Sequence, residues 1–453
     1  MTYLRRAILF CCFICNVSMS AFSQPINESF RKIPQAKLRQ DFNLMRDTIQ
    51  KVHAGLYTYK TKTALDRIFD SCYASIVDSM TVYDFYVMTR FVLATIEDGH
   101  TNCRLPKEVQ NDYINNVKVF PAMVFFINNR AFIFCCKQNA SLTESEILSI
   151  NNHPMDEIIL RLFNYICSDA GIQSRKNWEM PEDFQLLYDI VYGSSGSYDI
   201  RYKTKTGEIK TATLEADLIK NIFCTTPFPR PVKYLQLSYT PDNIAVLTLK
   251  SFFDGFLEQT GENFSNFLDS SFTDIRKKQI KKILIDVRSN QGGNDGNGEM
   301  LYAYLTQKPF MYYASQETVS EKFPEKDHPN LGLQQPKNNS FNGKVYVLMN
   351  GRSFSATAEF SSIVKTNDRG EFIGEECGGG YYGNTSGDEA MVSLPNTGIT
   401  VRVPMIKYTL AVKKLSNDMK GILPDYPSYI SISDIVEKKD GQMEYALKIV
   451  REK

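Results

Sequence analysis

The sequence predicts an α/β architecture preceded by a helical region and a small β-rich module. Three observations carry this. From about residue 230, apolar runs of strand length alternate with segments of helical periodicity, the pattern of an α/β layer fold. Residues 24 to about 110 place apolar side chains at helical spacing, and residues 115 to about 218 hold short aromatic and β-branched runs broken by turn residues. The chain of 453 residues has room for two to three domains at roughly 150 residues each.

The first residues stand apart from the fold. Arg5 and Arg6 precede an apolar run, Ala7 to Val17, and then "SMSAFSQ" places Ala21 and Ser23 where a signal peptidase reads small residues. Residues 1–23 are therefore expected to be a signal peptide, and the mature chain to be periplasmic or extracellular. The run is shorter than the ~20 apolar residues a bilayer needs. Cys11 follows Phe10 and Cys15 follows Ile14, so no small residue marks a lipidated cysteine. No later segment is long and apolar enough to span a membrane, and no integral membrane segment is expected in the mature chain. With 43% hydrophobic and 23% charged residues the chain reads as globular. A formal net charge of +1 gives no basic excess for phosphates and disfavours nucleic acid as a partner. Cys11, Cys12 and Cys15 leave with the signal. Cys72, Cys103, Cys135, Cys136, Cys167, Cys224 and Cys377 remain, an odd set with no C-x-x-C pair, so no zinc site is expected. No metal or cofactor is expected at all.

The elements follow in order. "AKLRQDFNLMRDTIQKVH", "ALDRIFDSCYASI" and "YDFYVMTRFVLATI" read as helices, and the last runs into "EDGHTNCRL". "VKVFPAMVFFI", "RAFIFCC" and "SEILSINNHP" read as strands, "MDEIILRLFNYIC" as a helix, and "SYDIRYKT" with "EIKTATLEA" as a strand pair joined by "KTGE". "NIAVLTLKSF" is a strand, "FLEQTGENFSNFLDSSF" a helix, and "IKKILIDVRSN" a strand apolar enough to be buried on both faces. "EMLYAYLT" is a helix, "GKVYVLMN" a second buried strand, "ATAEFSSIVK" a helix and "EFIGE" a strand. "AMVSLPNTGITVRVPMIKY" reads as a hairpin with Asn396-Thr397-Gly398 at its turn.

Two strand ends attract attention. "NGRSFSATAEF" places Ser353 and Ser355 between the strand Val345–Met349 and a helix. A serine there is first of all a helix cap. A hydroxyl at a helix N-terminus also sits where backbone N–H groups and the helix dipole favour a developing anion. "DVRSNQGGND" ends the other strand with Gly292 and Gly293. That pair is either a plain tight turn or backbone opened so that N–H groups face a ligand. Side by side, the two ends would supply a nucleophile and an oxyanion site. A base is then needed, and the chain holds His53, His100, His153 and His328. His53, His153 and His328 suit structural roles. His100, in "EDGHT", is better placed.

"EDGHT", "ILIDVRSNQGG", "SFSATAEF", "IGEECGGGYYGN" and "GILPDYP" occur in this order. Together with the leader, and with "ESEILSINNHPMDEII", which is similar to the strand and turn of a PDZ-like carboxylate loop, they resemble the tail-specific (C-terminal processing) serine protease family. The resemblance implies a crotonase/ClpP-like β-α spiral as catalytic domain, over residues 225–453. It also implies a helical N-terminal region over residues 24–112 carrying DGHT, and a PDZ-like module over residues 113–220. The family uses either a Ser–Lys pair or, in its tricorn-core-like branch, a Ser–His pair. No lysine lies between Lys365 and Lys407, where the Ser–Lys form needs one, so the resemblance assigns His100 as base and Ser355, rather than Ser353, as nucleophile. It further implies an oxyanion hole from the N–H groups of Ala356 and of Gly292 or Gly293. The third member is expected to be Asp418, with Asp425 and Asp98 as rivals. Gly378, Gly379 and Gly380 are expected to line the substrate cleft, with Cys377 a nearby thiol rather than the nucleophile. One departure is Ala358, where the family often has Glu; Glu359 follows it. The function implied is an exported serine endopeptidase acting on unstructured or C-terminal polypeptide segments. The alternative is a catalytically impaired peptide-binding protein of the same fold.

Overall fold

The structure is a computed structural model and describes residues 31–78, 80–415 and 421–453. The expected signal peptide, residues 1–23, and Asp418 lie outside the described residues. The architecture is mixed α/β. Its centre is a six-stranded sheet in the order Leu235–Tyr239, Ile244–Leu249, Lys282–Asp286, Lys344–Met349, Glu371–Gly374, Tyr426–Pro427. Only the first pair is antiparallel.

Burial on both faces explains the unbroken apolar runs in its middle strands. Ile283, Ile285, Val345, Val347 and Met349 face a large core that also holds Leu268 and Phe272 of helix Phe264–Lys277, Leu301 of helix Asp295–Ala303, and Phe360 and Ile363 of helix Ala356–Thr366. Leu284, Tyr346 and Leu348 point the other way, against Ala446 and Val450 of the terminal helix Gly441–Glu452. The period of two along each strand sends neighbours to opposite faces.

A four-stranded sheet carries the chain ends of the site. Gly383–Ser393 and Thr400–Leu410 form a long antiparallel hairpin, with Gly398 at φ +73° in its turn. Tyr313–Glu317 and the short strand Asn102–Arg104 also pair with Thr400–Leu410. Asn102 follows helix Val82–Thr95, so residues 96–101 cross from the helical region to this four-stranded sheet. The third large sheet joins Met123–Ile127, Arg130–Cys135, Glu146–Ile150, Ser197–Lys203 and Ile209–Glu215, with His153–Pro154 at its side. Cys135 is disulfide-bonded to Cys224, 89 residues on.

Several elements differ from the sequence reading. The expected helix over "FLEQTGENFSNFLDSSF" is split into Asp254–Gln259 and Phe264–Lys277. Gly261 takes φ +70° between them, and the Asn263 side chain caps the second. Helix Gln173–Tyr192 was not legible at all. It contains Pro181, and its buried face mixes Arg175, Asn177 and Gln185 with Met180, Phe184, Leu187 and Tyr188, so its helical period is interrupted by a proline and by polar residues. No helix among the described residues is long and apolar enough to cross a membrane.

Candidate active site

Strands Lys282–Asp286 and Lys344–Met349 are parallel neighbours, with Asp286 opposite Leu348. Their C-terminal ends therefore release "VRSNQGG" and "NGRSFS" side by side. The two serines of the second loop part company here. Ser353 is fully buried; its Oγ accepts from Asn350 N at 3.1 Å and donates to Val287 O at 2.8 Å. Both functions of that hydroxyl tie strand ends together. Ser355 precedes helix Ala356–Thr366 but its side chain caps nothing. Its backbone stands at φ 56°, ψ −130°, a region that costs a non-glycine residue about 1–3 kcal/mol and persists only when the surroundings fix it. They do: Phe354 N donates to Asn290 O, Gly378 N to Ser353 O, and Glu359 N to Ser355 O.

Among the described residues the freed hydroxyl has one side-chain partner. His100 Nε2 lies 3.1 Å from Ser355 Oγ, across 255 residues of sequence. Asp98 holds the loop that carries His100: its Oδ1 accepts from the backbone N of His100 and Thr101 and from Thr101 Oγ1. Asp169 holds it from behind, accepting from Gly99 N at 2.7 Å through Oδ1 and from Gly380 N at 3.2 Å through Oδ2. The imidazole stacks on Phe354, centroids 4.6 Å apart. On Gly99 a Cβ would meet the Phe354 ring at 2.7 Å, so only glycine admits this stack.

Gly293 and Ala356 line the same cavity as Ser355. Gly292 N donates to Asn290 Oδ1 at 3.0 Å and is occupied. Gly293 N and Ala356 N donate to nothing among the described residues. Gly292, at φ +87°, has room for no side chain: a Cβ would lie 2.8 Å from Ala356 N and from Ser355 Cβ. The loop is thus pressed onto the serine turn. Asn290, with Oδ1 on Gly292, its O on Phe354 N and its Nδ2 on Leu249 O, organises both. It stands inside the "DVRSNQGG" motif, yet its role is visible only in three dimensions.

Other expected members lie elsewhere. Gly378, Gly379 and Gly380 are buried and do not line the cleft. Gly378 and Gly379 pack behind the nucleophile turn, where a Cβ on Gly378 would meet Gly351 O at 2.0 Å and one on Gly379 the Ala358 methyl at 2.5 Å, while Gly380 faces Tyr59 and Asp169. Cys377 is fully buried, donates through Sγ to Ser353 O, and burial raises its thiol to about 12, which keeps it inert. Asp98 meets His100 only at the backbone. Asp425 binds Lys365 Nζ and Phe372 N at the far edge of the sheet. His100 Nδ1 is buried with no partner among the described residues. His53 is also buried, with Nε2 on Thr101 Oγ1 at 2.9 Å. His153 packs at a tilt against the Tyr192 ring and His328 lies 3.5 Å from Asp295.

The electrostatics keep the base neutral. Burial, then the charges of Arg402 and Arg175, lower His100 to about 3. Burial raises Asp98 to about 6; burial and then the Asp98 charge raise Asp169 to about 7. Ser355 and His100 open into a cavity of about 640 Å³ whose walls include Phe253, Gly293, Ala356, Arg175, Arg402 and Tyr408. A serine hydroxyl on a neutral imidazole, next to unpartnered N–H groups at a helix N-terminus, is suited to acyl transfer.

Residues 243–428 match peptidase family S41. No curated protein matches the sequence. Among solved structures, the fold is similar to that of mature CPAF at 12% identity, covering 92% of this chain and 96% of that chain, with a TM-score of 0.63. Mature CPAF complexed with lactacystin gives 12% identity, coverage of 92% and 97%, and a TM-score of 0.62. The photosystem II D1 C-terminal processing protease is a looser match, at 11% identity, 86% and 93% coverage and a TM-score of 0.42. The segment holding Gly292, Gly293 and Ser355 is a peptidase family S41 domain, and the chain is a serine-type peptidase.

Proposed function

We propose that the protein is an exported endopeptidase that cleaves unstructured or C-terminal polypeptide segments through an acyl-enzyme on Ser355. The observation that carries this is His100 Nε2 at 3.1 Å from Ser355 Oγ, beside the unoccupied N–H groups of Gly293 and Ala356. Ser355 Oγ attacks the peptide carbonyl carbon and its proton passes to His100 Nε2. The carbonyl oxygen, now anionic, is held by Gly293 N–H and Ala356 N–H. When the C–N bond breaks, His100 gives the proton to the leaving amine; water then attacks the ester by the same route, releasing the acid and restoring Ser355.

The supporting roles follow. Gly292 fits the oxyanion loop through its shape rather than its N–H, and Gly378 and Gly379 seat the nucleophile turn. Asp418, shortly before Gly421, is the acid proposed for the His100 ring, since Asp98 and Asp425 are engaged elsewhere. Residues 225–453 are read as a crotonase/ClpP-like spiral, residues 24–112 as the helical region bearing His100, and residues 113–220 as a PDZ-like module suited to peptide capture by strand addition. Export as a periplasmic or extracellular protein is supported by the Cys135–Cys224 disulfide, which fits an oxidising compartment.

The test is cleavage of unfolded casein by the mature chain, compared with Ser355→Ala and His100→Ala. Both variants should lose activity by about 10³-fold or more. Loss in Ser355→Ala alone would remove His100 from the mechanism. A wild type silent on casein and on peptides would leave the peptide-binding reading, measured by binding instead.

A further inference from the structure

Behind the base stands a second buried imidazole, which the proposed reaction does not use. His53 directly follows helix Gln35–Val52 and is 2% exposed. Burial lowers it to about 4, so the ring is neutral near pH 7. Its neighbours fix its tautomer. Gly55 N donates to Nδ1 at 3.2 Å, which leaves the ring proton on Nε2. Nε2 therefore donates to Thr101 Oγ1 at 2.9 Å, and the Thr101 hydroxyl in turn donates to Asp98 Oδ1 at 3.0 Å. The direct approach of Nε2 to Asp98 Oδ2 is longer, at 3.8 Å.

That Asp98 oxygen also accepts the backbone N–H of His100 at 2.9 Å and of Thr101 at 2.8 Å. Three donors from two consecutive residues converge on one acceptor, and the donor in Thr101 Oγ1 is turned toward it by His53. Where packing alone is needed, a buried histidine is a costly choice, since an apolar side chain fills space with no polar atom to satisfy. The base explains the choice. His100 meets Ser355 through Nε2, but its Nδ1 has no partner among the described residues. Its ring is therefore aimed by the backbone of residues 100–101 and by the stack on Phe354. A peptide free to tilt there would carry Nε2 away from Ser355 Oγ, and a displacement of about 1 Å can cost an enzyme about 10²-fold.

We infer that His53 is a positioning residue for the base: through Thr101 and Asp98 it fixes the peptide that carries His100. The inference rests on the peptidase reading above and adds to it a residue from the helical region that touches neither Ser355 nor the cavity.

The test uses the mature chain on a quenched peptide built on the most frequent cut site in casein. His53→Leu removes the donor and should lower kcat about tenfold or more, with KM within about twofold of wild type. His53→Gln sets an amide N–H close to the place of Nε2–H and should recover most of that loss. Thr101→Val cuts the next link and should reproduce the loss; Thr101→Ser keeps the hydroxyl and should restore activity. In His53→Leu combined with Thr101→Val the two losses should not add. Thermal unfolding shows which variants are folded. If His53→Leu is not, Thr101→Val against Thr101→Ser decides, and equal kcat in those two overturns the inference. So does an unchanged kcat in folded His53→Leu, an equal loss in His53→Leu and His53→Gln, or losses that add in the double variant. Each of these leaves the peptidase intact. A wild type that cuts neither casein nor peptides overturns the peptidase reading and this inference with it.

Discussion

One Asp169 carboxylate oxygen accepts the N–H of Gly99 and the other that of Gly380, so a single buried side chain joins the loop of His100 to the loop behind Ser355. Asp169 is a positioning residue for both. Asp169→Ala should lower kcat about tenfold or more with little change in KM, and should destabilise the fold by about 1–3 kcal/mol, the cost of stranding buried N–H groups. Stopped assays and thermal unfolding on the same preparation check both.

The same carboxylate gives a signed pH dependence. Its folded value, raised to about 7 by burial and by Asp98, lies above that of an unfolded aspartate. Its contribution is therefore fully present below the unfolded value and lost as pH rises through about 7. Asp169→Asn cannot ionise, so its stability deficit against wild type should be larger at pH 4 than at pH 8. Unfolding in urea at the two pH values measures it.

Ser353 and Ser355 should respond in opposite ways. Ser353→Ala removes a buried hydroxyl that both accepts and donates and should cost about 1–3 kcal/mol. Ser355→Gly removes the nucleophile and relieves the φ 56° backbone, so it should be inactive yet more stable by about 1 kcal/mol. Calorimetry of the two variants distinguishes a structural serine from a strained one.

Activity should persist in mild acid. With His100 lowered to about 3 by burial, Arg402 and Arg175, the acid limb of kcat/KM is expected well below the ordinary imidazole value of about 6.5. Arg402→Gln withdraws a nearby positive charge, favours the imidazolium and should move that limb to higher pH. Full pH profiles of both proteins read the shift directly.

Alkylation of the unfolded, unreduced mature chain should modify the five free cysteines, Cys72, Cys103, Cys136, Cys167 and Cys377, and spare Cys135 and Cys224. Reduction opens a loop of 89 residues and should lower stability by about 2–4 kcal/mol. Mass spectrometry and unfolding with and without reductant test the pair.

Much of the fold was legible because its strands announce themselves. Ile283 to Ile285 and Val345 to Met349 are buried on both faces, and an apolar run of that length without a polar break suits the middle of a sheet and little else. The hairpin around Gly398 was equally plain. Helix Gln173–Tyr192 was not, since Pro181 and its buried polar residues mask the period, and Arg175 was lost with it. At the site, Ser355, His100 and the two glycines stood in motifs. The roles of Asn290 and Asp169 did not, because each acts through hydrogen bonds to backbone far away in sequence. Which of Gly292 and Gly293 keeps a free N–H depended on a local bond, from Gly292 N to the Asn290 side chain two residues before it.

The three-residue pairing of Asn102–Arg104 with Thr400–Leu410 has a consequence in time. The base is synthesised early and the nucleophile late, and the strand that pairs beside the base comes later still. A chain still emerging from the ribosome can hold both residues and yet bring neither to the other. Peptidase activity therefore begins when the last hairpin docks, and until then the protein is safe from itself.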